Sequence, residues 1–226
     1  MANKVLSNEK NKKTSEKISD FMLKNRLVIM AASLVIIIAA LAVSIVSVIS
    51  SSSSRKELSA IDAIEYSYIS GTENSDLSAQ QDKAIEDLKA FVSKKGITGV
   101  RANMLLASIQ WQKADYAAAA QSFEKAYLLS KKSTYTTGLN AYNAAAAYEE
   151  CGNNEKAAEF YQKAIDSDYE MKAHAYFNLG RVKEALGDKD GAIAAYETIV
   201  NDYSSDNWNL LAKSRLIDLK PSVSAE

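Results

Sequence analysis

Residues 176–199 read YFNLGRVKEALGDKDGAIAAYETI, and a related pattern occurs twice earlier in the chain. The stretch 141–164 reads AYNAAAAYEECGNNEKAAEFYQKA, and the stretch 103–126 reads NMLLASIQWQKADYAAAAQSFEKA. Successive stretches start 38 and 35 residues apart. A period of this size, with small and aromatic side chains at fixed positions around a polar turn, is typical of stacked helical hairpins. The sequence therefore predicts an all-α fold.

Three sets of equivalent positions explain how the two helices of each hairpin would pack. Small side chains let antiparallel helices approach closely, and an aromatic ring fills the next layer. The sets are Ala107, Ala145 and Gly180; Ala119, Ala157 and Ala192; and Phe123, Tyr161 and Tyr196. One hairpin has too little apolar surface to be stable alone, so neighbouring hairpins are expected to stack into a solenoid.

This pattern resembles the tetratricopeptide repeat family, whose unit is about 34 residues long. The best match to the family's first helix and turn is Asn178-Leu179-Gly180 followed by Gly187-Asp188. The chain departs from the family at Gln110 and Lys183, where a tyrosine is preferred, and no repeat ends in the usual proline. We expect these departures to weaken local packing contacts and to leave the fold unchanged.

The predicted repeats occupy residues 100–205, and both ends of the array differ from them, as solenoid ends do. Residues 206–220 are predicted to form a capping helix with Asp206 as its N-cap, followed by a tail over 221–226. Residues 51–99 are predicted to hold a juxtamembrane linker and a degenerate first hairpin. Its helices are expected at Arg55–Ile69 and at about Ser78–Lys95, with the serines at 50–54 either helical or flexible.

A predicted transmembrane helix precedes the repeats. From Leu27 to Ser50 the chain reads LVIMAASLVIIIAALAVSIVSVIS, which contains no charged residue. As a helix it would be about 36 Å long, enough to cross a hydrocarbon core of about 30 Å. The alternatives are a cleaved signal peptide, which has a shorter apolar region, and a buried core helix. Residues 1–26 carry seven Lys/Arg against three acids, so this leader is predicted to stay in the cytoplasm and the repeats to lie across the membrane.

Composition argues against several functional classes. Residues 27–226 have a net charge of −5 and no basic stripe, which argues against nucleic-acid binding. The sequence contains no P-loop, GxSxG, HExxH, CxxC or GxGxxG motif. His174 is the only histidine and Cys151 the only cysteine, so one subunit cannot form a His-based triad or a two-His metal site. We expect no enzymatic activity, no cofactor and no metal.

Three residues or motifs invite a functional interpretation that we do not favour. Asp188, Asp190, Gly191 and Glu197 match positions 3, 5, 6 and 12 of a calcium-binding EF-hand loop. Position 1 would be Leu186, which cannot bind calcium, so we expect a turn between two helices there. We expect His174 to be an exposed groove residue and Cys151 to be an inert thiol.

In tetratricopeptide proteins, partner segments usually lie along the face made by the first helix of each repeat, and the resemblance implies the same here. The candidate peptide groove consists of Met104, Ser108, Trp111, Tyr142, Ala146, Phe177 and Arg181. Its apolar and aromatic members would anchor side chains of a bound segment; alternatively, they pack internally. Met104, Ser108 and His174 occupy places where carboxylate-clamp domains carry basic or asparagine residues, which argues against such a clamp.

The combination of basic leader, single span, degenerate hairpin, three repeats and capping helix resembles the YfgM-like family of ancillary SecYEG-translocon subunits of bacteria. The most telling stretches are KNRLVIMAASL and AIEDLKAFVSKKGITGVRANMLLASIQWQKADYAAAAQSFEKA. This resemblance implies an adaptor in the bacterial inner membrane whose periplasmic repeats contact the translocon, periplasmic chaperones or translocating chains. A structural scaffold in cell-envelope or division machinery is the alternative. A receptor facing the eukaryotic cytosol would need the opposite topology.

Overall fold

The computed structural model describes residues 24–25, 52–70, 76–131 and 135–220. The chain divides into two compact units, Met1–Ser53 and Ser54–Glu226. Within the described ranges no helix has both the length and the hydropathy that crossing a bilayer requires. The predicted span from Leu27 to Ser50 lies outside those ranges, as do most of the leader and the tail over 221–226.

The described residues 52–70, 76–131 and 135–220 form helices and connecting turns without a strand, which confirms the all-α prediction for these residues. Consecutive helices pack against each other along the chain, as in a solenoid. In chain order the helices are α1 (52–70), α2 (Leu77–Leu88), α3 (Gly96–Gln112), α4 (Tyr116–Leu129), α5 (Tyr135–Glu150), α6 (Asn154–Ile165), α7 (Lys172–Ala185), α8 (Lys189–Asp202) and α9 (Trp208–Leu219).

The same turn joins the two helices of each of the three repeats. The residue before the cap has a positive φ, namely 56° at Ala114, 79° at Gly152 and 77° at Gly187. The next residue accepts a backbone N–H through its side chain and so caps the second helix; these residues are Asp115, Asn153 and Asp188. The N–H of each cap residue also bonds back to the carbonyl five residues earlier, which satisfies the end of the first helix. Asp188 is thus a helix cap, in agreement with the expected turn.

Close helix approach depends on the predicted small residues. Ala107 and Ala145 are fully buried, as are the three alanines predicted at the equivalent positions of the second helices. At Gly180 an added Cβ would lie 2.6 Å from Cε1 of Tyr196, so no larger residue fits there without movement. Gln110, expected to weaken packing, instead accepts a hydrogen bond from Ser122 Oγ at 2.7 Å.

The degenerate hairpin packs on the first repeat through one apolar cluster. Ile61 and Leu88 are fully buried in it together with Ile109 of α3. Helix α2 ends at Leu88, earlier than the predicted Lys95, because i→i−3 hydrogen bonds tighten the chain from 89 to 94. The carbonyl of Val92 is then satisfied by Asn103 Nδ2 at 2.8 Å. Of the serines at 50–54, which were expected to be either helical or flexible, those at 52–54 are helical.

The C-terminal helix α9 covers the last repeat. Its Ala212 is fully buried against the third repeat, and Trp208, Leu216 and Leu219 pack around it. The helix begins at Trp208 with Asn207 in the N-cap position, one residue later than predicted. The predicted cap, Asp206, accepts the Trp208 N–H through its carboxylate at 3.0 Å.

Candidate functional site

A cleft of about 400 Å³ opens between the first helices of the first two repeats. Four of the predicted groove residues meet there: Ser108 and Trp111 from α3, and Tyr142 and Ala146 from α5. Phe123 of α4 is buried and also lines the cleft. This volume lies within the range of about 300–1,000 Å³ that is usual for ligand sites.

Aromatic contacts hold the two walls of the cleft in place. Trp111 packs edge-on against Tyr116, with ring centroids 5.1 Å apart. On the other wall, Tyr142 packs edge-on against Tyr161 at 5.4 Å and stacks on Tyr169 at 5.5 Å. Because both rings are held by neighbours, the walls are preformed and need little ordering when a partner binds.

The polar groups of the cleft are uncharged. Ser108 Oγ donates to the Met104 carbonyl at 3.0 Å, and Gln112 Oε1 accepts a hydrogen bond from Tyr68. Burial raises the pKa of Tyr142, and Asn178 Nδ2 donates to its hydroxyl oxygen at 2.7 Å. The phenol is therefore neutral at physiological pH.

Asn143 also lines the cleft, and its side-chain carboxamide has no hydrogen-bond partner among the residues that the structure describes. Its half-buried carboxamide can donate to and accept from a bound backbone. The sequence prediction omitted it. The repeat alignment could have identified Asn143, because it is equivalent to Asn178, 35 residues later, and both asparagines follow the aromatic position of the first helix.

The remaining predicted groove residues lie elsewhere. Met104 is half-buried one turn before the cleft and does not line it. Phe177 packs internally, with its ring centroid 4.9 Å from Trp208 and 5.4 Å from Tyr196. Arg181 pairs with Glu149. The predicted groove is therefore divided: Ser108, Trp111, Tyr142 and Ala146 line the open cleft, whereas Phe177 is packed against α9 and Arg181 is exposed and paired with Glu149.

Arg181 belongs to a cluster that we call a Tyr–Glu–Arg triad, which joins the second and third repeats. Tyr161 Oη donates to Glu149 Oε2 at 3.1 Å. Arg181 donates to both carboxylate oxygens, through Nη2 to Oε2 at 2.9 Å and through Nη1 to Oε1. Burial and the Glu149 charge raise the pKa of Tyr161, so the tyrosine keeps its proton and acts as a donor.

The same triad recurs between the third repeat and α9. Tyr196 Oη donates to Glu184 Oε1 at 2.6 Å, and Arg215 Nε donates to the same oxygen at 3.2 Å. Arg215 Nη2 donates to Oε2. Burial alone would raise the pKa of Glu184, but the hydrogen bonds from Arg215 and Tyr196 outweigh it and lower the pKa below its usual range. Each triad thus ties one hairpin to the next helix through a carboxylate that accepts hydrogen bonds from a tyrosine and an arginine.

His174, expected as an exposed groove residue, is instead half-buried between two aromatic rings. It stacks on Trp208 with centroids 4.2 Å apart and planes 11° apart, and its Nε2 lies 2.9 Å from Tyr142 Oη. Burial lowers its pKa, and Arg181 lowers it further against the opposing charge of Asp206. Its position is explained by packing between repeats.

No group of three or more His, Cys, Asp or Glu side chains suited to a metal ion occurs among the residues that the structure describes. Glu197, the twelfth position of the EF-hand-like pattern, pairs with Lys220. The Cys151 thiol is exposed and donates to the Tyr148 carbonyl at 3.2 Å.

Comparison with known proteins identifies the repeats. Tetratricopeptide repeat family models match residues 100–133 and 142–207. A TPR repeat-containing protein of Treponema pallidum (strain Nichols) is 30% identical over 153 residues, which cover 66% of this chain and 64% of that protein. The chain thus spans less than two thirds of the length of this curated relative.

Solved structures support the fold. A Podosopora anserina kinesin light chain with nearly identical TPR-like repeats superposes with a TM-score of 0.53 at 14% identity, covering 74% of this chain and 86% of that one. The predicted tetratricopeptide resemblance is therefore confirmed, whereas the narrower translocon-subunit resemblance stays a prediction. Residues 100–133 and 142–207 match models of tetratricopeptide repeats, and the described helices have the fold of such repeats.

Proposed function

We propose that this protein is a membrane-anchored adaptor that binds an extended segment of another protein in the cleft of its first two repeats, beside the bacterial protein-export translocon. The observation that carries the binding role is the cleft itself. It is open and preformed, its walls are Trp111 and Tyr142, and Asn143 offers an unpaired carboxamide to a backbone. The proposal includes no turnover chemistry.

The membrane location rests on the sequence. The uncharged stretch from Leu27 to Ser50 is long enough to span a bilayer, and the net charge of +4 over residues 1–26 favours a cytoplasmic N-terminus. With this topology the repeats lie in the periplasm. Placement beside the translocon, with chaperones or translocating chains as partners, rests on the resemblance to the YfgM-like family.

Photo-crosslinking tests the binding role. We would place benzoylphenylalanine at Ser108, on the exposed rim of the cleft, and as a control at Gln121, on the exposed side of α4. We expect chains arrested during export to crosslink at Ser108 and not at Gln121. Equal crosslinking at both positions, or none at Ser108, would contradict the role. Adducts with a single folded protein would favour a structural scaffold.

Labelling of the lone cysteine tests the topology. Because the Cys151 thiol is exposed, a membrane-impermeant maleimide should modify it in cells whose outer membrane has been opened. The matched control is Ser7→Cys in a Cys151→Ser background, which places the thiol in the leader and should be protected until the inner membrane is breached. The reverse result would exclude a periplasmic repeat domain.

A further inference from the structure

The Tyr–Glu–Arg triads occur at two successive junctions between repeats, and the alignment of the repeats identifies the equivalent residues at the junction before them. Glu149 corresponds to Trp111, and Tyr161 corresponds to Phe123, each 38 residues earlier. Arg181 corresponds to Ala146, 35 residues earlier. The first junction has therefore lost every member of the triad.

These three replacements are residues that line the cleft. Trp111, Phe123 and Ala146 all border it. At the next two junctions an arginine side chain crosses the gap between neighbouring helices to reach a glutamate. At the first junction the arginine is replaced by a methyl group, so the space that the side chain would fill stays open.

The gap at the first junction differs in charge from the two junctions that hold a triad. Each triad holds one negative and one positive charge in contact, whereas none of the residues that line the first gap is charged. A charged group entering this gap would lose hydration without gaining a counter-ion, which is unfavourable. An apolar side chain would instead bury its surface against the ring of Trp111 and the buried ring of Phe123.

We infer that the gap left by the missing triad is a subsite for one large, uncharged apolar side chain, such as leucine, methionine or phenylalanine, of the bound segment. This inference rests on the proposed binding role and adds the chemical class of the segment. The uncharged lining selects against arginine, lysine, aspartate and glutamate at the anchor position. The volume of about 400 Å³ accommodates such a side chain with its adjoining backbone.

Disulfide tethering tests the subsite without knowledge of the partner. Ser108→Cys in a Cys151→Ser background places a thiol on the rim of the cleft. The full chain is equilibrated with 2-mercaptoethanol and small disulfides that carry a methyl, isobutyl, phenyl, guanidinium or carboxylate group. Intact-mass spectrometry then measures the fraction modified by each. We expect isobutyl and phenyl groups to be captured roughly tenfold or more in preference to methyl, and the charged groups no better than methyl.

Two kinds of control isolate the subsite. Gln121→Cys, in the same background, should capture all groups alike because it lies on an exposed helix surface. Restoring the triad with Trp111→Glu, Phe123→Tyr and Ala146→Arg should remove the preference while far-UV circular dichroism stays unchanged. Ala146→Met fills the same space with one substitution and serves where the triple variant fails to fold.

Capture without preference by the Ser108→Cys variant, or a preference that persists in the filled variants, would overturn the subsite. Photo-crosslinking at Ser108 remains an independent measurement of the binding role. If the Ser108→Cys variant shows no preference for isobutyl and phenyl groups while exported chains still crosslink at Ser108, the apolar anchor alone is refuted. Preference without crosslinking to exported chains would refute the export role and keep the subsite.

Discussion

Ala114 is the only non-glycine residue with a positive φ in the described part of the chain, and it occupies the turn position that Gly152 and Gly187 fill in the later repeats. An alanine in the left-handed region brings its Cβ too close to the following carbonyl oxygen, at a cost of roughly 1–2 kcal/mol. We therefore predict that Ala114→Gly stabilises the protein.

The magnitude follows from two opposing effects. The substitution removes the steric cost of about 1–2 kcal/mol in the folded state. Glycine also increases the conformational entropy of the unfolded chain, which opposes folding by about 0.4–1 kcal/mol. We expect a net gain of about 0.5–1 kcal/mol in the free energy of unfolding. Gly152→Ala should lower the free energy of unfolding by a similar amount. An added Cβ there has no neighbour within 4 Å, so only the backbone cost of the positive φ applies.

Urea unfolding of the full chain, followed by far-UV circular dichroism, measures both effects. Ala194→Gly is a suitable control because Ala194 is exposed in the middle of α8, where glycine should destabilise by about 1 kcal/mol. The reasoning is refuted if Ala114→Gly is no more stable than the parent chain, or if Gly152→Ala leaves stability unchanged.

Three further predictions concern the junctions between helices. Gly180→Ala should destabilise by about 1–3 kcal/mol in the same assay, because the new Cβ would meet the ring of Tyr196 at 2.6 Å. Arg181→Met should cost about 1 kcal/mol, and a double-mutant cycle with Glu149→Gln should show positive coupling; zero coupling would mean that the triad contributes nothing. Since the folded-state pKa of His174 is lowered, the unfolded state binds the proton first, so stability should fall as the pH drops below about 6.5. His174→Gln should make that decline shallower, and an unchanged pH profile would contradict the assignment.

Much of the fold could be predicted from spacing because helical repeats depend on local signals. The caps Asp115, Asn153 and Asp188 and the turns before them recur with the repeat, so one well-matched hairpin located the others. The end of α2 was predicted too late, because the i→i−3 hydrogen bonds after Leu88 and the bond from Asn103 Nδ2 of α3 to the Val92 carbonyl leave no mark on the helical period.

The candidate site, like the fold, could be predicted from the sequence only in part. Family positions identified Ser108, Trp111, Tyr142 and Ala146 as neighbours, and the structure places them around one cleft. The same positions gave no sign that Phe177 would be covered, because its neighbour Trp208 lies 31 residues later on α9.

The sequence by itself determined the helical period, the turn chemistry and the approximate extent of the repeats, because each depends on residues a few positions apart. Only the tertiary structure decided which part of the predicted groove is open. That outcome depends on whether a side chain from the following helix crosses the gap, as Arg181 and Arg215 do, or stops at a methyl group, as Ala146 does. Contacts between helices far apart in sequence set the shape of the surface, so the open cleft becomes visible only when the hairpins are stacked.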